Sequence, residues 1–186
     1  MKSSRFILPF IDHSLWIAVF WGFAEATLFF VVPDVLISFV ALFSFKKSTH
    51  CLLSTTAGSL LGGLLVFSLA TAHPSQLIST MKAIPFVKQS MFRKVETDYQ
   101  TSGASSMLKG PLSGIPYKIY ATLAPKYMSP ATFLCFSIPA RLERLALTWL
   151  LFGFFGLLFR QSLPVFRGIG HLTYWIIVYI LYWSAI

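Results

Sequence analysis

Charge is what this chain has least of. Only 11% of its residues are Asp, Glu, Lys or Arg, and only six of the 186 are acids. Soluble domains carry about 25% charged residues, so there is too little polar surface here to dissolve a globule. Cysteine is nearly as scarce. Cys51 and Cys135 are the only two, too few for a disulfide framework, and both lie in or beside apolar runs, where they read as small apolar residues. The four histidines, His13, His50, His73 and His171, show no metal-ligand spacing. No His-Glu-x-x-His or Gly-x-Ser-x-Gly pattern occurs, and Ser113 in "LSG" reads as a turn residue. These absences argue against an intramembrane enzyme and give no reason to expect a metal or other cofactor. A secretory signal peptide is not expected either. Lys2 and Arg5 are basic, but Asp12 and His13 interrupt the apolar run and no small-residue cleavage site follows.

What the chain does have is apolar surface: 56% hydrophobic residues, with 19 Phe, five Trp and seven Tyr. An all-α integral membrane protein forming a single membrane domain over residues 1–186 is expected. The net charge of +9 suggests nucleic acid at first sight. However, the bases sit at the ends of apolar runs, where Lys and Arg snorkel to headgroups or follow the positive-inside rule. No nucleic-acid partner is expected. Both sides of the segments are basic, so the same rule barely chooses an orientation.

Along the chain, the first apolar segment is broken by Pro33-Asp34, and "VLISFVALFSF" beyond it is about half a span. Residues 14–45 therefore read as a re-entrant hairpin. Residues 51–72 read as a full transmembrane helix, in which Gly58 and Gly62, four apart, let a second helix approach closely; chance glycines are the plain alternative. Residues 73–103 form a polar connector. From Phe86 to Gln100 the apolar positions Val87, Met91, Val95 and Tyr99 recur every four residues, predicting an amphipathic helix in the interface plane. In residues 104–124, Pro111, Gly114 and Pro116 forbid one continuous helix, yet the segment is too apolar for a solvated loop. It reads as two short half-helices joined by "GPLSGIP", a second re-entrant hairpin. Residues 131–159 and 171–186 read as transmembrane helices, the last one an extra at the C-terminus. Broken hairpin followed by full span thus occurs twice, a pseudo-inverted repeat of pattern without residue-level repetition. Short Gly/Pro-interrupted segments at matching places in two halves point to a transporter-like site between them.

Glu25, Asp34, Lys109, Lys118, Arg141, Glu143 and Arg144 fall within these segments. At a helix centre an Asp, Lys or Arg costs about 2.5–3.5 kcal/mol. Helical partners lie three or four residues away. Those positions hold Trp21, Gly22, Leu28 and Phe29 for Glu25, and Ser137, Ile138, Arg144 and Leu145 for Arg141. None offers an opposite charge. The partners must come from other segments: acids from the first half, bases from the second. Two readings stay open at this point. The charges are static bridges between helices, or they line a polar cavity for a charged headgroup or a proton, in which Glu25 is the proton site.

Four places resemble one known family, the DedA or VTT (SNARE-associated) membrane proteins. "FAEATLFFVVPD" resembles its acid-bearing first hairpin, and "GSLLGG" its glycine-rich span. "GIPYKIYATLAPKYMSPATF" resembles its Pro-x-basic hairpin, here Pro116-Tyr117-Lys118, and "ARLER" its basic pair. Together they cover about residues 20–160. Lys109 and Lys118 stand where many members have Arg, and the glycine-rich span lacks the Asp and Tyr often found there. The tyrosine-lysine form looks closest to a divergent, YqaA-like bacterial branch. The resemblance implies two facing re-entrant hairpins in a multi-pass protein of the bacterial inner membrane. It implies translocation or scrambling of phospholipids or polyprenyl phosphates, passive or proton-coupled, in support of membrane homeostasis. By carry-over, Glu25 and Asp34 are the acidic site residues and Lys118, Arg141 and Arg144 the basic ones. Membrane lipids, lipid phosphates among them, are the expected partners, and a homo-oligomer is left open. The alternative is a structural or assembly protein that transports nothing.

Overall fold

The computed structural model describes residues 4–29, 31–85, 87–110 and 113–184, and every regular element among them is helical. In chain order these are α1 (Ser4–Thr27), α2 (Asp34–Phe43), α3 (Phe45–Ala72), α4 (Pro74–Lys82), α5 (Gln89–Ser102), a 3-10 segment (Gly103–Leu108), α6 (Tyr117–Leu123), α7 (Pro130–Leu158) and α8 (Pro164–Ser184). Phe45–Ala72 and Pro164–Leu181 are long and apolar enough to cross a membrane. Helix α7 has the length, 29 residues, but carries Arg141, Glu143 and Arg144 within one turn.

Close packing of α1 on α3 organises the first half. Cys51 donates through Sγ to Ser14 Oγ at 3.2 Å, and Ser59 Oγ donates to the Gly22 carbonyl at 3.3 Å. Both pairs are separated by 37 residues, so the two helices run parallel in register. Glycine makes this approach feasible. A Cβ on Gly58 would run into the Val19 backbone, and one on Gly22 into the Thr55 carbonyl. The glycines flagged in the sequence therefore form an inter-helix contact, with Gly22 as their counterpart on α1.

A parallel pair requires the chain to come back between its members, and α2 makes that return. Pro33 is the cap residue at its start, where its missing N–H leaves no helical bond unmade. Asp34 follows in the first turn, where the positive end of the helix dipole favours a carboxylate. Only Ser44 separates α2 from α3. Its backbone is extended, and its side chain accepts from the Lys47 N–H at 3.3 Å, which starts α3. Lys46–His50, a connection in the sequence reading, is thus the first turn of α3. Similarly, α8 begins at Pro164, well before the expected residue 171, because proline suits the first helical position.

Helix α7 runs antiparallel to α3 and parallel to α2. Phe133 packs on Phe67, Arg141 reaches Ser59, and Trp149 stacks on Phe45. Ser129 caps α7, accepting from the Thr132 N–H, with Pro130 behind it. The connector between the halves is folded onto the protein. On α5 the residues Phe92, Val95 and Tyr99 are buried, and Tyr99 Oη donates to the Tyr120 carbonyl at 3.0 Å. The apolar stripe of this amphipathic helix is therefore covered by α6 and its neighbours, not left for lipid. In the second broken region the first short arm is a 3-10 segment of six residues. Gly114 has φ +72°, and Pro116 caps α6 with extended backbone. Pro111 lies outside the described residues.

Candidate functional site

Two apolar cores flank a charged layer. One gathers around α6 and includes Ala26 and Ala140. The other lies between α1, α2, α3 and α7 and includes Leu145. Between Ala140 and Leu145 on α7 sit Arg141 and Arg144. Thr148 is four residues beyond Arg144, so all three polar groups emerge from one side of the helix.

Arg141 is 4% exposed and so is Glu25, in the last turns of α1. The two form an ion pair. The same guanidinium nitrogen donates to Ser59 Oγ at 2.9 Å. The guanidinium carbon stands 4.9 Å from the centre of the Tyr117 ring, within cation–π range. Tyr117 is itself held by donating to Ser137 Oγ at 2.8 Å. Arg141 Nε is buried and, among the described residues, has no hydrogen-bond partner.

One turn on, Arg144 pairs with Asp34 at 3.0 Å, and Thr148 Oγ1 donates to the other carboxylate oxygen at 2.8 Å. The Asp34 side chain is 5% exposed and that of Arg144 28%, so this second pair meets the surroundings through its base.

Lys118, at 2% exposure, takes neither acid directly. Its Nζ donates to the Phe29 carbonyl at 2.6 Å. Phe29 belongs to the break between α1 and α2, whose backbone groups need partners away from water. Trp21 Nε1 donates to the Val31 carbonyl at 2.9 Å, and the Val32 N–H donates to Tyr179 Oη at 3.1 Å. Side chains from α6, α1 and α8 thus each satisfy one backbone group of the break. Lys118 still lies near enough for its charge to act on Glu25, as does that of Arg144.

The structure therefore brings together five of the seven charges singled out from sequence. Lys109 and Glu143 are exposed, and among the described residues neither joins an ion pair. Glu143 is two positions from Arg141, which on a helix turns it away from the cluster. Ser59, Tyr117, Thr148 and Tyr179 join the site without a role assigned to them from sequence. The one available signal was Thr148, placed i+4 from Arg144 in an otherwise apolar turn.

Lys118, Arg141 and Arg144 against Glu25 and Asp34 leave the cluster one positive charge in excess. Arg141 and Arg144 both line a narrow cleft with Tyr117, Tyr120, Gly110 and Met107. Its volume of about 20 Å³ has room for about one water, which needs roughly 10–15 Å³. Among the described residues no group of His, Cys, Asp and Glu is arranged to hold a metal ion. Comparison with known proteins found no matching family model, no similar curated protein and no similar solved structure.

Proposed function

We propose that this is a multi-pass membrane protein of the DedA/VTT type that carries an anionic lipid headgroup, a phospholipid or polyprenyl phosphate, between leaflets. The observation that carries the reading is the donor set at the cleft. Arg141 offers a buried unpartnered Nε beside Arg144, in a cluster with one base more than its acids. Guanidinium forks match phosphate oxygens in geometry and charge. A phosphate entering the widened cleft would take Nε and compete with Glu25 and Asp34 for the two arginines. Release follows when the acids recapture their bases.

The broken elements support the architecture this needs. Helix α2, ten residues long, rises about 15 Å, half of a hydrocarbon core about 30 Å thick. That is the length of a re-entrant arm. The long helices that follow the two breaks, α3 and α7, run antiparallel, as an inverted repeat requires.

The test is leaflet exchange in reconstituted vesicles, read with fluorescent phosphatidic acid and, separately, a labelled polyprenyl phosphate. Exchange well above protein-free vesicles, abolished by Arg141→Ala and by Glu25→Ala in folded protein, is expected. Equal exchange in both variants and the unaltered chain would sink the assignment. The second reading, a purely structural clamp, is favoured by the near-complete burial of the Glu25–Arg141 pair. It predicts no exchange above protein-free vesicles.

A further inference from the structure

A cavity larger than the cleft at the charged cluster lies at the far end of α2, between α7 and α8, and holds about 350 Å³. Small-molecule clefts run from about 300 to 1,000 Å³. Its walls are Leu42, Phe152, Phe155, Phe159, Phe166 and Tyr174, an aromatic and aliphatic slot. Its polar lining comes from Ser162, Arg167 and His171.

Among the described residues no carboxylate pairs with Arg167. One nitrogen, Nη1, donates to the Leu42 carbonyl at 2.8 Å, in the last turn of α2. The guanidinium carbon lies 4.8 Å from the Phe43 ring centre, and among the described residues the buried Nε has no partner. A fixed cation with a spare donor therefore lines a slot otherwise walled mostly by hydrocarbon. His171, at the slot's wall, is committed to Ser38 Oγ at 2.8 Å, with Trp175 Nε1 donating to the same oxygen at 2.9 Å. These bonds tie α8 to α2 and keep the slot's back wall in place.

We infer that this slot binds one chain of an anionic amphiphile, hydrocarbon among the phenylalanines and carboxylate or phosphate on Arg167. Charge and apolarity together select the class. An uncharged lipid leaves Arg167 without a counter-ion, and a soluble anion leaves the slot unfilled. The site is separate from the Arg141 cleft and does not rest on lipid translocation. It makes α8 a helix whose seat on α2 and α7 is completed by a resident lipid.

The full chain in phosphatidylcholine vesicles tests this with three photoreactive probes carrying a mid-chain diazirine: palmitic acid, phosphatidic acid and hexadecanol. After illumination, labelled positions are mapped by peptide mass spectrometry. Labelling concentrated at 152–159 and 166–174 by palmitic acid, phosphatidic acid or both is expected, and which of the two succeeds identifies the headgroup. Arg167→Gln removes a charge-assisted bond and should lower it about tenfold. Gly170→Phe should abolish it by filling the slot. A Cβ on Gly170, a slot residue, meets nothing within 4 Å, so α8 can accept the change. On the unaltered chain, excess unlabelled palmitate or phosphatidate should suppress slot labelling and spare Leu53 and Leu61, exposed on α3. Hexadecanol labelling the slot as well as the anionic probes would overturn the inference, and so would uniform suppression over the whole surface.

Discussion

Glu25 and Arg141, 116 residues apart in sequence, meet as a buried ion pair that ties the end of α1 to the middle of α7, with Ser59 of α3 as the third party. Every long helix of the two halves except α8 therefore has a hand in one contact. Removing one partner of a buried pair strands a charge and costs about 3–5 kcal/mol. Glu25→Gln and Arg141→Met should each lower the melting temperature in detergent markedly. A change within the scatter of surface variants would show that water already reaches the pair.

The Asp34–Arg144 pair should be less demanding, because the Arg144 side chain is 28% exposed. Arg144→Met is expected to destabilise less than Arg141→Met in the same melting series. Thr148→Val removes a donor to the Asp34 carboxylate, a bond to a charged group worth about 1.5–3 kcal/mol when buried. It should act through Asp34, so the effects of Thr148→Val and Asp34→Asn will be less than additive. Full additivity would contradict the contact.

Lys118→Met removes the Nζ donor that the Phe29 carbonyl accepts, a hydrogen bond from a charged group worth about 1.5–3 kcal/mol. The loss should localise to the break between α1 and α2, seen as faster amide exchange around residues 28–33 with α3 protected as before. Uniform loosening of the whole chain would instead make Lys118 part of the central clamp.

Two helices long and apolar enough to cross a membrane, the break at Pro33 and the need for distant partners were all legible in the sequence. Partners could be sought across halves because no helical neighbour of Glu25 or Arg141 carries an opposite charge. Which acid meets which base was not legible, since it depends on the register of α1, α2 and α7. Nor was the bond of Lys118 to a carbonyl, because residue patterns do not show which backbone groups a break leaves open. Helix starts at Ser44 and Pro164 were there to be read as capping signals, but the lysines after Ser44 and the bases around Pro164 looked like linkers.

The α1–α3 seam predicts an ordered series of its own. Gly58→Ala and Gly22→Ala place a methyl against backbone that has nowhere to go. Overpacking of this kind costs about 1–3 kcal/mol. Gly168→Ala on α8, where a Cβ meets nothing within 4 Å, should be neutral or stabilising, since alanine favours helix by up to about 1 kcal/mol over glycine. Equal melting temperatures for all three variants would contradict the close seam.

The claim that the paired charges form a gate for a lipid phosphate, beyond holding helices together, is tested most directly by removing both at once. Glu25→Gln with Arg141→Met leaves no stranded charge, and replacing both partners of a buried pair is often nearly neutral for stability. Leaflet exchange of fluorescent phosphatidic acid should be measured for this double variant at equal folded protein. The account predicts a melting temperature restored toward that of the unaltered chain, with exchange still lowered about tenfold or more, the loss of one charge-assisted phosphate bond. Restored stability together with unaltered exchange would contradict it.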